Sequence, residues 1–192
     1  MTIKQKEATE KVAKDPDARS RARLRAFALQ AQEKKDWESA ISYWTSLVGL
    51  YPNNADLQFS LGYSYSMFSE EKEDQEKFKV LDKAIERYQK ATELNKSDYT
   101  AYYNWGTALF EQAKTKEGEE ADRLNNMAYE KYSNAVKIEP DFHEAYYNWG
   151  FTLYNQAKTK KGEEADRLYE MTYEKYEHAL KVNDHRQRRW LE

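Results

Sequence analysis

From Tyr102 onward, apolar side chains return at a helical interval. Tyr102, Trp105, Gly106, Leu109 and Ala113 fall at i, i+3, i+4, i+7 and i+11, which sets them on one helix face. The polar stretch from Thr115 to Gly118 interrupts the pattern. A second face follows in Ala121, Leu124, Ala128, Tyr132, Ala135 and Val136, until Pro140 ends it. The unit is a hairpin of two helices, A then B. Gly118 and Gly162 suit the left-handed conformation that ends helix A, and Glu119-Glu120 and Glu163-Glu164 place negative charge where the dipole of helix B favours it. Asp141 followed by Glu144 reads as the cap of the next helix A.

The hairpin repeats. The 36 residues from Tyr102 recur from Tyr146, identical at 25 positions and offset by 44. A fainter copy lies one period earlier, where Leu61-Gly62 matches Trp105-Gly106 and Trp149-Gly150, and Ala84, Tyr88 and Ala91 match Ala128, Tyr132 and Ala135. Upstream, Ala40, Trp44, Leu47 and Pro52 follow the spacing of a helix B, preceded by a shorter helix A from Ala18 to Lys34. Such a period predicts stacked hairpins that bury each other's faces. Four units result, at about 18–53, 54–97, 98–141 and 142–184, flanked by segments 1–17 and 185–192. Glycine inside a helix costs roughly 1 kcal/mol relative to alanine. Its recurrence at 62, 106 and 150 therefore predicts close helix packing, with Ala91, Ala135 and Ala179 as the small residues expected opposite.

These residues resemble the tetratricopeptide repeat, whose pattern is a bulky residue, Leu or Trp then Gly, and a large apolar residue on helix A, then Ala, an aromatic, Ala and Pro on helix B. Here the pattern is carried by Tyr102, Trp105, Gly106, Leu109, Ala128, Tyr132, Ala135 and Pro140, and by Tyr146, Trp149, Gly150, Leu153, Thr172, Tyr176 and Ala179. The chain departs from it at Lys96 and Asp184 in place of the closing proline, at Thr172, and at Ala28 in the first unit. The resemblance implies an all-α, right-handed α-solenoid of antiparallel helix pairs. Family repeats are usually 34 residues, so three of the four units carry ten more. Divided evenly, the excess lengthens each helix by about five residues, or roughly 7.5 Å, and projects the KTKEG and KTKKG turns from one edge. The acidic stretch SEEKEDQEKF of the second unit is expected to be the most mobile part.

Composition narrows the chemistry. The 192 residues are 34% charged and 15% aromatic, which suits a folded chain rather than a disordered one. No cysteine is present, which excludes disulfides, thiolate metal sites and thiol nucleophiles. None of His143, His178 and His185 has a partner histidine at the i+3 or i+4 spacing of a paired metal site, so His143 and His178 read as surface or interhelical residues. No phosphate-binding glycine loop or nucleophile elbow occurs. The expectation is a protein without catalysis, cofactor or metal. The absence of an apolar span or secretory leader points to a cytoplasmic location.

A two-helix solenoid offers a concave surface lined by helix A. Beside the core stripe, the same periodicity places Phe59, Tyr63 and Ser66 in the second unit, Tyr103, Thr107 and Phe110 in the third, and Tyr147, Phe151 and Tyr154 in the fourth. Asn104 and Asn148, one residue further round, can offer a donor and an acceptor to a ligand's main chain or bond their own scaffold. In the family, such a groove receives an extended peptide or a helix. Its carboxylate-gripping Lys, Asn and Arg positions are here Phe59, Tyr63, Tyr103, Thr107, Tyr147 and Phe151, with Arg25 and Leu29 in the first unit. The implied ligand is an apolar or aromatic segment of another protein rather than a chaperone tail ending in a carboxylate.

Two further readings stand beside this one. The ends of a solenoid expose core faces, which favours self-association or a longer protein. Segment 1–17 would cap the array, pair with a second chain or stay unfolded. Arg19, Arg21, Arg23 and Arg25, and Arg186, Arg188 and Arg189 with Trp190, are candidate nucleic-acid contacts, although solvated helix ends explain them as well and the net charge of -3 gives no overall attraction.

Overall fold

In the computed structural model the described residues are 16–189. They form eight helices: α1 (Pro16–Glu33), α2 (Trp37–Leu50), α3 (Ala55–Ser69), α4 (Asp74–Leu94), α5 (Tyr99–Ala113), α6 (Gly118–Ile138), α7 (His143–Ala157) and α8 (Glu163–Arg189). Each packs on the next along the chain, and α3 also touches α5, and α5 touches α7. The A helices α1, α3, α5 and α7 therefore lie side by side on one wall, with the B helices behind them. Segment 1–15 and residues 190–192, Trp190 among them, lie outside the described residues.

The helix boundaries follow local chemistry. Asp36, Asn54 and Asp98 cap α2, α3 and α5, each accepting from the backbone N–H three residues on, at 3.1, 3.1 and 3.0 Å. The fourth unit differs. Its cap position is Phe142, not Asp141, and no side-chain cap bond forms. The Phe142 ring instead sits edge-on to Tyr99 and Tyr103, each 5.0 Å away, so packing holds the helix entry. Gly118 and Gly162 are left-handed, with φ of 58° and 60°, but they stand at the start of helix B, each five residues after the last residue of helix A.

The ten extra residues do not divide evenly. Measured against the short first unit, α5 runs two residues further past its glycine, the turn gains one, and α6 gains seven ahead of Ala128. Helix B thus carries most of the elongation, about 10 Å at 1.5 Å per residue. The turns do not stand free either. Lys116 lies over the Phe78 ring at 4.2 Å, and Lys160 reaches Asp122, so each turn folds back onto the preceding helix B.

The helical glycines are occupied by tyrosines rather than by small residues. A Cβ added at Gly62 would stand 3.0 Å from the Tyr88 ring, at Gly106 2.8 Å from Tyr132, and at Gly150 2.9 Å from Tyr176. Only a residue without a side chain lets these rings lie flat across helix A. Tyr88 and Tyr132 are wholly buried, and their hydroxyls reach Ser66 Oγ at 3.2 Å and Thr107 Oγ1 at 3.3 Å. The recurring alanines pack elsewhere: Ala135 joins Val136 and Ala145 at the junction with the next helix A. Thr172, which replaces an alanine, is buried and donates its hydroxyl to the Leu168 carbonyl at 2.8 Å.

Candidate functional site

The wall of A helices presents the predicted side chains, with uneven exposure. Tyr147 is 54% exposed, and Phe151, Tyr154 and Tyr63 are also open. Tyr147, Phe151 and Tyr154 lie at i, i+4 and i+7 on α7, which makes one continuous aromatic strip. Phe59 is half-buried, stacked on Tyr63 at 6.5 Å and against Tyr88 at 5.8 Å. Phe110 does not line the surface as an open ring: it is 7% exposed, with Phe151 packed edge-on across it at 5.7 Å. The periodicity places Phe110 on the right face, but the next unit's aromatic covers it.

The polar positions serve the scaffold. Asn104 donates to the Thr100 carbonyl at 2.8 Å, on its own helix. Asn148 donates to the Tyr103 hydroxyl at 2.8 Å, which ties α7 to α5. Thr107 donates to the Tyr103 carbonyl at 3.1 Å and accepts from Tyr132. Burial, reinforced by nearby Glu144, raises the Tyr103 phenol above its ordinary value, so it stays a neutral hydroxyl.

Between α5, α7 and α8 the wall opens into a cavity of about 580 Å³. Tyr103, Tyr147 and Asn148 line it from the A helices, and Tyr176, Ala179, Leu180 and Asn183 from α8, with His143 and Glu144 at one edge. His143 Nδ1 lies 3.0 Å from Glu144 Oε2. Sequence reasoning missed the α8 contribution, because Leu180 belongs to a helix B, which the periodicity assigns to the back of the array. The cavity size and its mixture of apolar walls and few polar groups suit a peptide side chain.

The arginines do not form one patch. Every second residue on a helix advances about 200°, so Arg19 and Arg23 share one side of α1, and Arg21 and Arg25 the other. Arg21 lies over the Tyr51 ring at 5.5 Å. The side chains of Arg186, Arg188 and Arg189 lie outside the described residues. His178 stacks on Tyr146 at 5.3 Å. Among the described residues no cluster of three or more His, Asp or Glu gathers in a metal-binding arrangement, and no helix is long and apolar enough to cross a membrane.

Between units three and four, polar groups stitch the edge. Asp122 accepts from Gln156 at 2.7 Å and from Lys160. Burial opposes ionisation of Asp122, but the bonds from Lys160 and Gln156 outweigh it and hold the carboxyl below its ordinary value; the same contact raises Lys160. The depressed acid contributes stability above the unfolded value, near ~4, which is lost as pH falls through the folded value. The raised amine contributes below ~10.4, lost as pH rises through its folded value. Urea unfolding should therefore show a larger stability loss from about pH 7 to about pH 3 in the wild type than in Asp122→Asn. Equal losses would contradict the pairing.

Stacked two-helix units with the A helices on one wall define an α-solenoid. A family model for the TPR repeat matches residues 80–112. That window joins α4 to α5 across the short turn at 95–98 and stops before the elongated turns. Solved structures of similar fold include the MamA RS-1 ArsTM double mutant (TM-score 0.63, 16% identity, covering 90% of this chain and 77% of that one). MamA MSR-1 C2 gives a TM-score of 0.63 at 14% identity, covering 95% and 90%. The thermophilic TPR protein TTC0263 of Thermus thermophilus gives 0.56 at 17%, covering 97% and 87%. No curated protein matches the sequence significantly. The chain has a TPR-like α-solenoid fold with elongated units.

Proposed function

We propose that the chain is an interaction module that receives an apolar or aromatic segment of another protein along the wall of A helices, without chemistry of its own. The observation that carries this is the exposed strip of Tyr147, Phe151 and Tyr154 leading to the cavity beside Tyr103 and Leu180. Exposed rings in a row are costly in water, and aromatic anchors beside a pocket supply most binding energy in protein interfaces. The amide donors of Asn104 and Asn148 are engaged in the scaffold, which favours recognition through side-chain burial over main-chain pairing. Lys158 lies 5.6 Å from the Tyr154 ring centre at the border of the strip and would favour a ligand with an acidic residue flanking its apolar ones, whereas Lys114, over Phe110, is already paired with Glu111 at 2.9 Å.

Selection of random peptides displayed on phage tests this reading. Enriched peptides should carry aromatic or aliphatic anchors, and the variant Tyr147→Ala/Phe151→Ala/Tyr154→Ala should lose them by about a hundredfold with helicity unchanged. The three rings also pack on Tyr176, Phe110 and Tyr169, so circular dichroism of the variant is the control that its fold survives. Undiminished binding by the triple variant would refute the proposal.

A further inference from the structure

The outer face of α8 is unlike the same face of the other B helices. One period back, Val136 of α6 is 8% exposed, and two periods back Thr92 of α4 is buried; their counterpart Leu180 is 65% exposed. Tyr129 of α6 donates its hydroxyl to Gln156, while its counterpart Tyr173 is 73% exposed. What covers these positions inside the array is the next helix A: Ala145 sits against Val136, and Gln156 and Lys160 reach Asp122. The chain's own repeat thus specifies the shape that fits α8, a helix A with a cation or amide over Asp166, the counterpart of Asp122.

The first of the described helices, α1, supplies such a helix. Aligning Ala28 with Gly150, the register that the repeat fixes, puts Arg23 at the place of Ala145, Phe27 at that of Trp149 and Lys34 at that of Gln156. All three are exposed, Phe27 by 43%. Laid on α8 in this register, Phe27 packs toward Tyr173, Lys34 meets Asp166 and Glu170, and Arg23 lays its stem on Leu180 with its charge toward Asp184. On the facing sides, Asp166, Glu170 and Asp184 lie on α8, and Arg23 and Lys34 lie on α1 and the turn after it, so the two surfaces are complementary in charge as well as in apolar surface. We infer that α8 of one copy receives α1 of a second copy, head to tail, continuing the solenoid and its wall of A helices across the junction. A head-to-tail contact that does not close on itself adds copies without limit, so the product is a series of lengths rather than a dimer. A docked α1 and a peptide side chain in the cavity lined by Leu180 would exclude one another, so association is tested on the protein without peptide and its failure is separate from failure of the aromatic strip.

Light scattering on size-fractionated full-length chain tests it. The mass should rise with concentration past that of a dimer and fall with added salt. Leu180→Glu should leave a monomer of unchanged helicity. Lys34→Glu and Asp166→Lys should each weaken association by about tenfold or more, and the two together in one chain should restore it, because every junction then pairs the swapped charges. A monomer at all concentrations would overturn the inference. So would association that ignores Leu180→Glu, or a double variant no better than the singles.

Discussion

Tyr132→Ala should lower the unfolding free energy by about 3–5 kcal/mol, the usual cost of emptying a fully buried aromatic site. The ring is wholly buried, lies flat on Gly106, and sits 6.1 Å from the Tyr103 ring. In a stacked array each unit's stability combines its own packing with the interfaces to its neighbours, so the loss should loosen the third and fourth units together. Tyr132→Phe isolates the hydroxyl: its bond to Thr107 is part-buried, and its removal should cost only about 1 kcal/mol. Urea denaturation followed by circular dichroism measures both. A loss below about 1 kcal/mol for Tyr132→Ala would mean that the ring does not lock the hairpin.

Gly106→Ala should destabilise by about 1–3 kcal/mol, even though alanine is the better helix former by roughly 1 kcal/mol. The new methyl would meet the Tyr132 ring at 2.8 and 2.9 Å and the Ala128 carbonyl at 3.2 Å, so the packing penalty outweighs the propensity gain. Gly49 provides the internal control. It lies in α2 with nothing within 4 Å of an added Cβ, so Gly49→Ala should stabilise by up to about 1 kcal/mol. With Tyr132→Ala already in place, Gly106→Ala should become far less harmful, because the obstructing ring is gone. Additive effects in that cycle would contradict the glycine-tyrosine contact.

The 44-residue period shows the architecture because a stacked hairpin buries the same positions in every unit. The buried set Leu109, Ala128, Tyr132 and Ala135 was legible for that reason. The partner of each glycine was not: periodicity fixes which face a residue occupies, and the choice between Tyr132 and Ala135 depends on the axial register of two helices. The division of the ten extra residues depends on where Gly118 and Gly162 turn the chain, and a left-handed glycine serves the start of helix B as readily as the end of helix A. At the site, Tyr147, Phe151 and Tyr154 were readable as a strip from spacing alone. The covering of Phe110 and the bond from Asn148 to Tyr103 were not, because both arise between units. The contribution of Leu180 to the cavity also escaped, since it follows from α8 having no further helix A packed upon it among the described residues.

The most direct test of the aromatic wall as binding surface is site-specific photo-crosslinking with a phage-selected peptide. A benzophenone amino acid replaces Tyr147 in one variant and Glu130, exposed on helix B, in another. Crosslinking at position 147 and none at 130 is the predicted result; labelling at 130 with none at 147 would place the ligand on the opposite wall and contradict the account.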